Sequence, residues 1–254
     1  MILEIIQIII AGIFGAIFGS YATLFAHRLP IGESCFGRYF GPKSHCPKCR
    51  RTLRTRELIP LVNWLVTLGK CSKCGFKIPR SHLLLELSIT ILFMVNFYLF
   101  RFSDEFIIYS LILTTVMVGM VTDFKNNILP DAVIFTILLI GLANRVLIDQ
   151  GIVPVVLSSV VGVVFATIFY RIFYEDGKNS MLSTQPQAFA YAKFIVVAAV
   201  CLSSITIFIL YIATVLLILS VFLLFGKFSP KKSPRIGAAL MIPFIWLLIY
   251  SPLN

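Results

Sequence analysis

Long runs of apolar residues alternate with short polar segments along this chain, and the runs predict helices that cross a membrane. A helix needs about 20 mainly apolar residues to cross a hydrocarbon core of about 30 Å. The charge-free run 194–225 would reach about 48 Å at about 1.5 Å per residue, too far for one span, and we divide it near Ser203-Ser204. Eight spans result, at about 1–26, 83–100, 106–122, 128–148, 152–174, 190–208, 210–226 and 236–252.

The composition agrees with an all-α polytopic membrane protein whose first partner is the lipid bilayer. The 254 residues are 59% hydrophobic and 13% charged, whereas soluble domains carry roughly 25% charged residues. No basic residue precedes the first apolar run, since Arg28 is the first one in the chain. We therefore expect this run to be retained as a helix and not removed as a signal peptide.

The formal net charge is +11, and the positive charge is concentrated in segment 27–81. Because cytoplasmic loops of membrane proteins are rich in Lys and Arg, we place this segment in the cytoplasm. The eight spans then leave 20 basic residues inside and only Arg101 and Arg145 outside. An anionic leaflet accounts for this charge, and no nucleic-acid partner is needed. The predicted domains are the first helix (1–26), a cytoplasmic module (27–81) and a seven-helix membrane domain (82–254).

Two cysteine pairs lie in the cytoplasmic module, Cys46-Pro-Lys-Cys49 and Cys71-Ser-Lys-Cys74, with 21 residues between them. Four thiolates at this spacing can hold a structural Zn²⁺ in a zinc-ribbon-like insertion. Two disulfides or four unliganded thiols are the alternatives, and a cytoplasmic location disfavours disulfides. The apolar run Leu58–Leu68 between the pairs is too short to cross a membrane, so we interpret it as interfacial or re-entrant.

Three acidic residues at the ends of spans are candidates for chemistry. Asp123 follows an apolar span directly, where partial removal from water suits a carboxylate to acid/base work; a loop carboxylate paired with Lys125 is the alternative. Asp131 stands in the first turn of the next helix, where the helix dipole alone explains it. Glu86 lies about one turn into the second span and is either a structural polar clamp or part of a substrate cleft.

The first span contains Gly12, Gly15 and Gly19, whose spacing favours close packing against another helix. Arg28 follows at its cytoplasmic end, where it can reach the headgroups.

These segments, in this order, resemble the type IV prepilin peptidases, which are membrane aspartic proteases that also N-methylate their products. The matching residues are Gly19-Ser20-Tyr21, Arg28-Leu29-Pro30, the two CxxC pairs with Leu58-Ile59-Pro60 and Trp64-Leu65 between them, Leu85-Glu86-Leu87, and Asp123 through Asp131. The similarity is specific over the first 131 residues, and the later spans match in hydrophobicity and spacing.

The resemblance implies a multi-pass protein of the bacterial inner membrane, associated with type IV pili and type II secretion. Its substrate would be a pilin-like precursor, cut after a short basic leader at the cytoplasmic face and methylated from S-adenosylmethionine. Two aspartates that share one proton would hydrolyse the peptide. Asp123 stands at the place of one of them. We assign Glu86, Arg28 and Lys193 to substrate binding.

The chain departs from the family where the second aspartate is expected, in a Gly-x-Gly-Asp-x-Lys motif. The equivalent segment is Ala188-Phe-Ala-Tyr-Ala-Lys193, so Tyr191 occupies the aspartate position and both glycines are alanines. A phenol cannot replace an ionisable carboxylate in a shared-proton pair. Asp176 is an alternative second acid. The asparagine of the first family motif is also absent, and Thr23 stands near its place.

Three hypotheses follow from these residues. The first is a peptidase, with or without methyl transfer, that uses Asp123 and a second acid. The second is a catalytically impaired relative that binds pilin-like precursors without cleaving them. The third, a transporter or channel with a zinc regulatory domain, is disfavoured because the spans carry few charges and no paired relay.

Overall fold

The structure is a computed structural model, and it describes residues 2–35, 43–147, 152–174, 185–202, 205–226 and 236–250. These residues form nine α-helices and no β-strand. The helices are α1 (Ile2–Arg28), α2 (Val62–Val66), α3 (Arg80–Phe100), α4 (Asp104–Asn126), α5 (Asp131–Leu147), α6 (Ile152–Tyr174), α7 (Gln185–Cys201), α8 (Ile205–Gly226) and α9 (Ile236–Tyr250). The predicted all-helical fold is confirmed.

The eight long helices correspond to the eight predicted spans. By length and composition, α1, α3 and α4 are long and apolar enough to cross a membrane, and α6 to α9 contain shorter apolar stretches. The predicted division of the run 194–225 agrees with the structure, in which α7 ends at Cys201 and α8 begins at Ile205. The two serines at the division lie outside the described residues.

The chain divides into two compact units, Met1–Val121 and Thr122–Asn254, with the division inside α4. In the first unit, α1 packs against α3 through the predicted glycine face. A Cβ added at Gly15 would lie 2.8 Å from the Thr90 Cα, and one added at Gly19 would lie 2.9 Å from the Glu86 Cα. Because backbone atoms cannot move aside as a flexible side chain can, these two glycines let the helices approach closely.

The second unit packs α7 against α5 and α6 through small residues. A Cβ at Gly162 of α6 would lie 2.6 Å from the Ala199 Cβ. Arg145 of α5 is buried, and its Nε donates to the Val200 carbonyl at 3.0 Å, while its guanidinium also donates to the Leu202 carbonyl. The last carbonyls of a helix have no partner within the helix, so this arginine satisfies carbonyls at and just beyond the end of α7.

Candidate functional site

The two CxxC segments fold into equivalent turns. In the first, the Cys46 N–H donates to the Arg51 carbonyl and the Arg50 N–H to the Cys46 carbonyl. The second repeats this pattern, with Cys71 bonded to Phe76 and Gly75 to Cys71. The residue after the second cysteine of each turn has a left-handed backbone, with φ of 52° at Arg50 and 67° at Gly75. The turns bring each cysteine pair to one side of its loop.

The four sulfur atoms of these turns lie within 4.8 Å of one another, and the Cys46 and Cys74 Sγ atoms are 3.7 Å apart. Four sulfurs at about 2.3 Å from a tetrahedral Zn²⁺ would be about 3.8 Å apart, so the donor set and its spacing fit this ion. The four cysteines are free thiols in the structure. Backbone hydrogen bonds from Cys74 and Lys73 lower the pKa of Cys71 to about 6. At Cys74 the lowering by the Phe76 backbone hydrogen bond is outweighed by burial and by the other cysteines, and the pKa is raised to about 11.

A polar network links the two turns to the segment between them. The Arg51 guanidinium donates to both Glu57 carboxylate oxygens, at 2.6 and 3.0 Å, and also to the Ser72 hydroxyl. The pKa of Glu57 is held down at about 2 by hydrogen bonds from Arg51, from the Arg54 N–H and from the Ser72 hydroxyl. The network therefore stays ionised at neutral pH and ties the second turn to the first.

A cavity of about 390 Å³ lies within the first unit, between the cysteine module and the adjoining parts of α1 and α3. Its wall includes Thr23, His27, Arg28, Trp64 and Glu86. Glu86 accepts a hydrogen bond from the Leu61 N–H at 2.8 Å, and Arg28 donates to the Ser34 carbonyl at 2.9 Å. Two of the residues assigned to substrate binding thus line one cavity and brace its wall.

In the second unit, the structure brings Asp123 and Tyr191 together. Asp123 near the end of α4 is 1% exposed and Tyr191 of α7 is 4% exposed. The Tyr191 hydroxyl donates to Asp123 Oδ1 at 2.5 Å. The residue at the position of the expected second aspartate therefore does meet Asp123, but it brings a phenol and not a carboxylate.

Gly237 at the start of α9 closes over the same carboxylate, and sequence reasoning did not find it. A Cβ at this position would overlap the Asp123 carboxyl group. A glycine at the beginning of an apolar run carries no signal of such a contact in the sequence. Ala188 and Ala190, which stand where the resemblance leads us to expect glycines, are also buried.

Lys193 and Asp131 form an ion pair two residues beyond Tyr191 on α7. The Lys193 ammonium also lies 4.8 Å from the centre of the Phe189 ring. Asp131 therefore has a specific partner in addition to its place in the first turn of α5. Asp176, the alternative second acid, lies outside the described residues. The catalytic role of Asp123 stays a prediction.

Comparison with known proteins agrees with the resemblance seen in the sequence. Residues 13–100 match the family model of the bacterial peptidase A24 N-terminal domain. The chain is 33% identical over 122 residues to a prepilin leader peptidase/N-methyltransferase of Bacillus subtilis, covering 48% of each protein. It is 28% identical over 148 residues to a type 4 prepilin-like proteins leader peptide-processing enzyme of Escherichia coli, covering 53% of this chain and 55% of the relative.

A prepilin leader peptidase/N-methyltransferase of Vibrio cholerae is 27% identical over 168 residues, covering 63% of this chain and 64% of the relative. The chain therefore spans between 48% and 64% of the length of these three relatives. No solved structure matches. The apolar helices and these relatives indicate a bacterial inner-membrane protein. The matched N-terminal domain and the relatives together show that the chain is similar to the type IV prepilin peptidases over its N-terminal part.

Proposed function

We propose that the chain binds pilin-like precursors at the cytoplasmic face of the inner membrane and cleaves them weakly or not at all. The hydrogen bond from the Tyr191 hydroxyl to Asp123 carries this proposal. Relatives named for processing prepilin leaders support the substrate class. The concentration of basic residues in 27–81 supports the cytoplasmic placement.

The impairment follows from what two aspartates do together. In such a pair, one carboxylate accepts a proton from the attacking water while the protonated partner donates to the scissile carbonyl. Tyr191 can donate a hydrogen bond, but it does not become a carboxylate that exchanges roles with Asp123. Its hydroxyl already occupies one oxygen of Asp123, and Gly237 lies against the carboxyl group. A catalytic water at Asp123 would therefore lack the second acid.

Substrate binding would draw on Glu86, Arg28 and Lys193. Glu86 lines the cavity with one oxygen bound to Leu61, and its negative charge suits the basic leader of a precursor. Arg28 shapes the same cavity by holding the segment that follows α1. Lys193, paired with Asp131 at the start of α5, lies in the middle of α7, two residues after Tyr191. The four cysteines would hold a structural Zn²⁺ that keeps the module folded above the cavity.

A second candidate function is methyl transfer, which the names of the relatives and the cavity in the first unit favour. S-adenosylmethionine would supply an electrophilic methyl group for an amino terminus. A mainly apolar cavity of about 390 Å³ with the Glu86 carboxylate and the Arg28 guanidinium in its wall offers room and charge for such a ligand. The Glu86 carboxylate would face a positively charged group of S-adenosylmethionine, and the Arg28 guanidinium would face its carboxylate.

The proposal is tested by separating binding from cleavage. The purified chain in detergent is mixed with a precursor that has a basic leader, and with the same precursor in which the leader Lys and Arg are replaced by Gln. We expect saturable binding of the first, at least tenfold weaker binding of the second, and little or no release of the leader over hours. Glu86→Gln should weaken binding of the basic precursor selectively.

Two outcomes would contradict the proposal. Rapid cleavage that Asp123→Ala abolishes would show an active peptidase with a second acid. Equal binding of both precursors would show that the basic residues of the leader do not contribute to binding. Methyl transfer is tested separately by titrating the chain with S-adenosylmethionine, where heat of binding lost in Glu86→Gln is the expected result and no binding rejects the second candidate.

A further inference from the structure

The segment between the two cysteine turns presents large apolar side chains to its surroundings. Six of them, here named the α2 strip, are between 45% and 77% exposed: Leu58, Ile59, Val62, Leu65, Val66 and Leu68. Contiguous exposed apolar surface of this kind marks an interaction site in a folded protein. The strip occupies only eleven residues of the chain, so the exposure is concentrated in one place.

Positive charge adjoins the strip on both sides in the sequence. Arg54 and Arg56 precede it and Lys70 follows it, and all three are exposed. Glu57, the acidic residue among them, is bound to Arg51. An apolar strip with flanking Lys and Arg matches the surface of an anionic lipid leaflet, which accepts apolar groups at the level of the acyl chains and attracts cations at the headgroups.

The module is also attached to membrane helices at both ends. It follows α1, which ends at Arg28, and precedes α3, which begins at Arg80. The Leu61 N–H is bound to Glu86 at 2.8 Å, and Glu86 lies about 9 Å along α3 from Arg80 at about 1.5 Å per residue. The strip is therefore held beside the beginning of α3, close to the depth of about 5–10 Å at which interfacial helices bury their apolar faces.

We propose that the α2 strip lies in the headgroup region of an anionic lipid leaflet and docks the cysteine module onto the membrane. The arrangement is interfacial and not re-entrant, because α2 has only five residues, Val62–Val66, and the flanking arginines and lysine must stay near the headgroups. The basic leader of a pilin precursor is a poor occupant of this surface, since like charges would face each other. The inference is independent of peptide cleavage, and it shares only Leu58 and Ile59 with the wall of the cavity proposed for binding.

Tryptophan fluorescence in the full chain tests the proposal. The chain has two tryptophans, Trp64 and Trp246. Both are replaced by phenylalanine, and Leu65→Trp, at a position of the strip that is 61% exposed, supplies the only reporter. The variant is reconstituted into phosphatidylcholine vesicles with phosphatidylserine, in which the acyl chains are brominated either near the headgroup or near the terminal methyl. We expect the emission of this reporter to be quenched at least twofold more strongly by the shallow bromines, and less strongly when phosphatidylserine is omitted.

A matched pair of variants separates docking from folding. Val66 is 77% exposed, so Val66→Asp adds a charge to the strip without disturbing the interior. Thr52→Asp adds the same charge at another exposed position of the module. We expect the first variant to lose most of the quenching and the second to retain it, with one equivalent of zinc bound by both.

Three results would overturn the proposal. Absence of quenching by either lipid would mean that the strip is covered by protein, whether another copy of the chain or another part of it. Stronger quenching by the deep bromines would mean a re-entrant segment. Equal quenching of the two aspartate variants would show that the strip does not determine the position of the module.

Discussion

The four-cysteine cluster and the Asp123 site differ in how complete their donor sets are. The cluster has every ligand that a tetrahedral metal needs, brought within 4.8 Å by two equivalent turns. The Asp123 site has one carboxylate, and a tyrosine stands at the place of the other. If Asp123 belongs to a catalytic pair, as the resemblance implies, that pair lacks its second carboxylate, whereas the set of four cysteines is complete.

The difference suggests that the four-cysteine cluster and the Asp123 site serve different functional requirements. The family model covers residues 13–100, which include all four cysteines and end before Asp123. In the function proposed above, binding of a precursor or a methyl donor would need the folded module and the cavity, whereas hydrolysis would also need a second acid. The proposal therefore keeps recognition and leaves out the two-aspartate reaction.

Removal of the metal should have the largest effect, and it should be confined to the module. Because structural Zn²⁺ contributes roughly 10–16 kcal/mol in small zinc-binding peptides, chelation or Cys71→Ser should unfold segment 44–79. The membrane helices do not depend on it and should keep their helical circular dichroism. Limited proteolysis measures the effect: cleavage within 44–79 should rise at least tenfold, with the remaining helices protected.

Unchanged proteolysis after complete removal of zinc would contradict this prediction. In that case the Arg51–Glu57–Ser72 network, and not the metal, would hold the turns together.

A smaller effect is expected when space is removed beside Asp123. Gly237→Ala places a methyl group against the carboxyl group, and overpacking of this kind costs about 1–3 kcal/mol. Gly12→Ala is the control, since its nearest neighbour is the flexible Met94 side chain at 3.3 Å. Unfolding by denaturing detergent should show a lower free energy of unfolding for the first variant and a change below about 1 kcal/mol for the second. Equal stability of both would show that the Asp123 site is open.

The smallest effect concerns the two cysteine turns themselves. Arg50 and Gly75 occupy equivalent left-handed positions, where a residue with a side chain costs roughly 1–2 kcal/mol relative to glycine. Arg50→Gly should therefore raise the stability of the module by about 1 kcal/mol, and Gly75→Ala should lower it by a similar amount. Zinc release with a competing chelator measures both. A loss of stability in Arg50→Gly would contradict the equivalence of the turns.

Hydrophobic pattern and cysteine spacing were enough to predict the long helices and the cysteine cluster, since both depend on residues close together in sequence. The pairing of position 191 with Asp123 came from the family resemblance, because periodicity gives no register between α4 and α7. Gly237 at Asp123 and Arg145 at the end of α7 could not be predicted. Each acts on a distant segment through packing, and a glycine or a lone arginine in an apolar run has several simpler explanations.

For two helices the sequence placed an end inward of where it lies. The predicted span 83–100 is α3, which begins at Arg80, and the predicted span 106–122 is α4, which runs from Asp104 to Asn126. The predicted span 128–148 is instead slightly longer than α5, Asp131–Leu147. Hydropathy marks the part of a helix that suits the hydrocarbon core, whereas the helix itself continues through polar residues into the interface.

The proposed loss of cleavage depends most on Tyr191 standing where a second aspartate is expected. Cleavage of a pilin-like precursor tests this directly. The parent chain is compared with Asp123→Ala, Tyr191→Phe and Tyr191→Asp, the last alone and together with Ala188→Gly and Ala190→Gly. We predict that the parent, Asp123→Ala and Tyr191→Phe release little or no leader. A second carboxylate at 191, with the glycines that give it room, should raise cleavage at least a hundredfold. Cleavage by the parent that Asp123→Ala abolishes and Tyr191→Phe preserves would contradict the account.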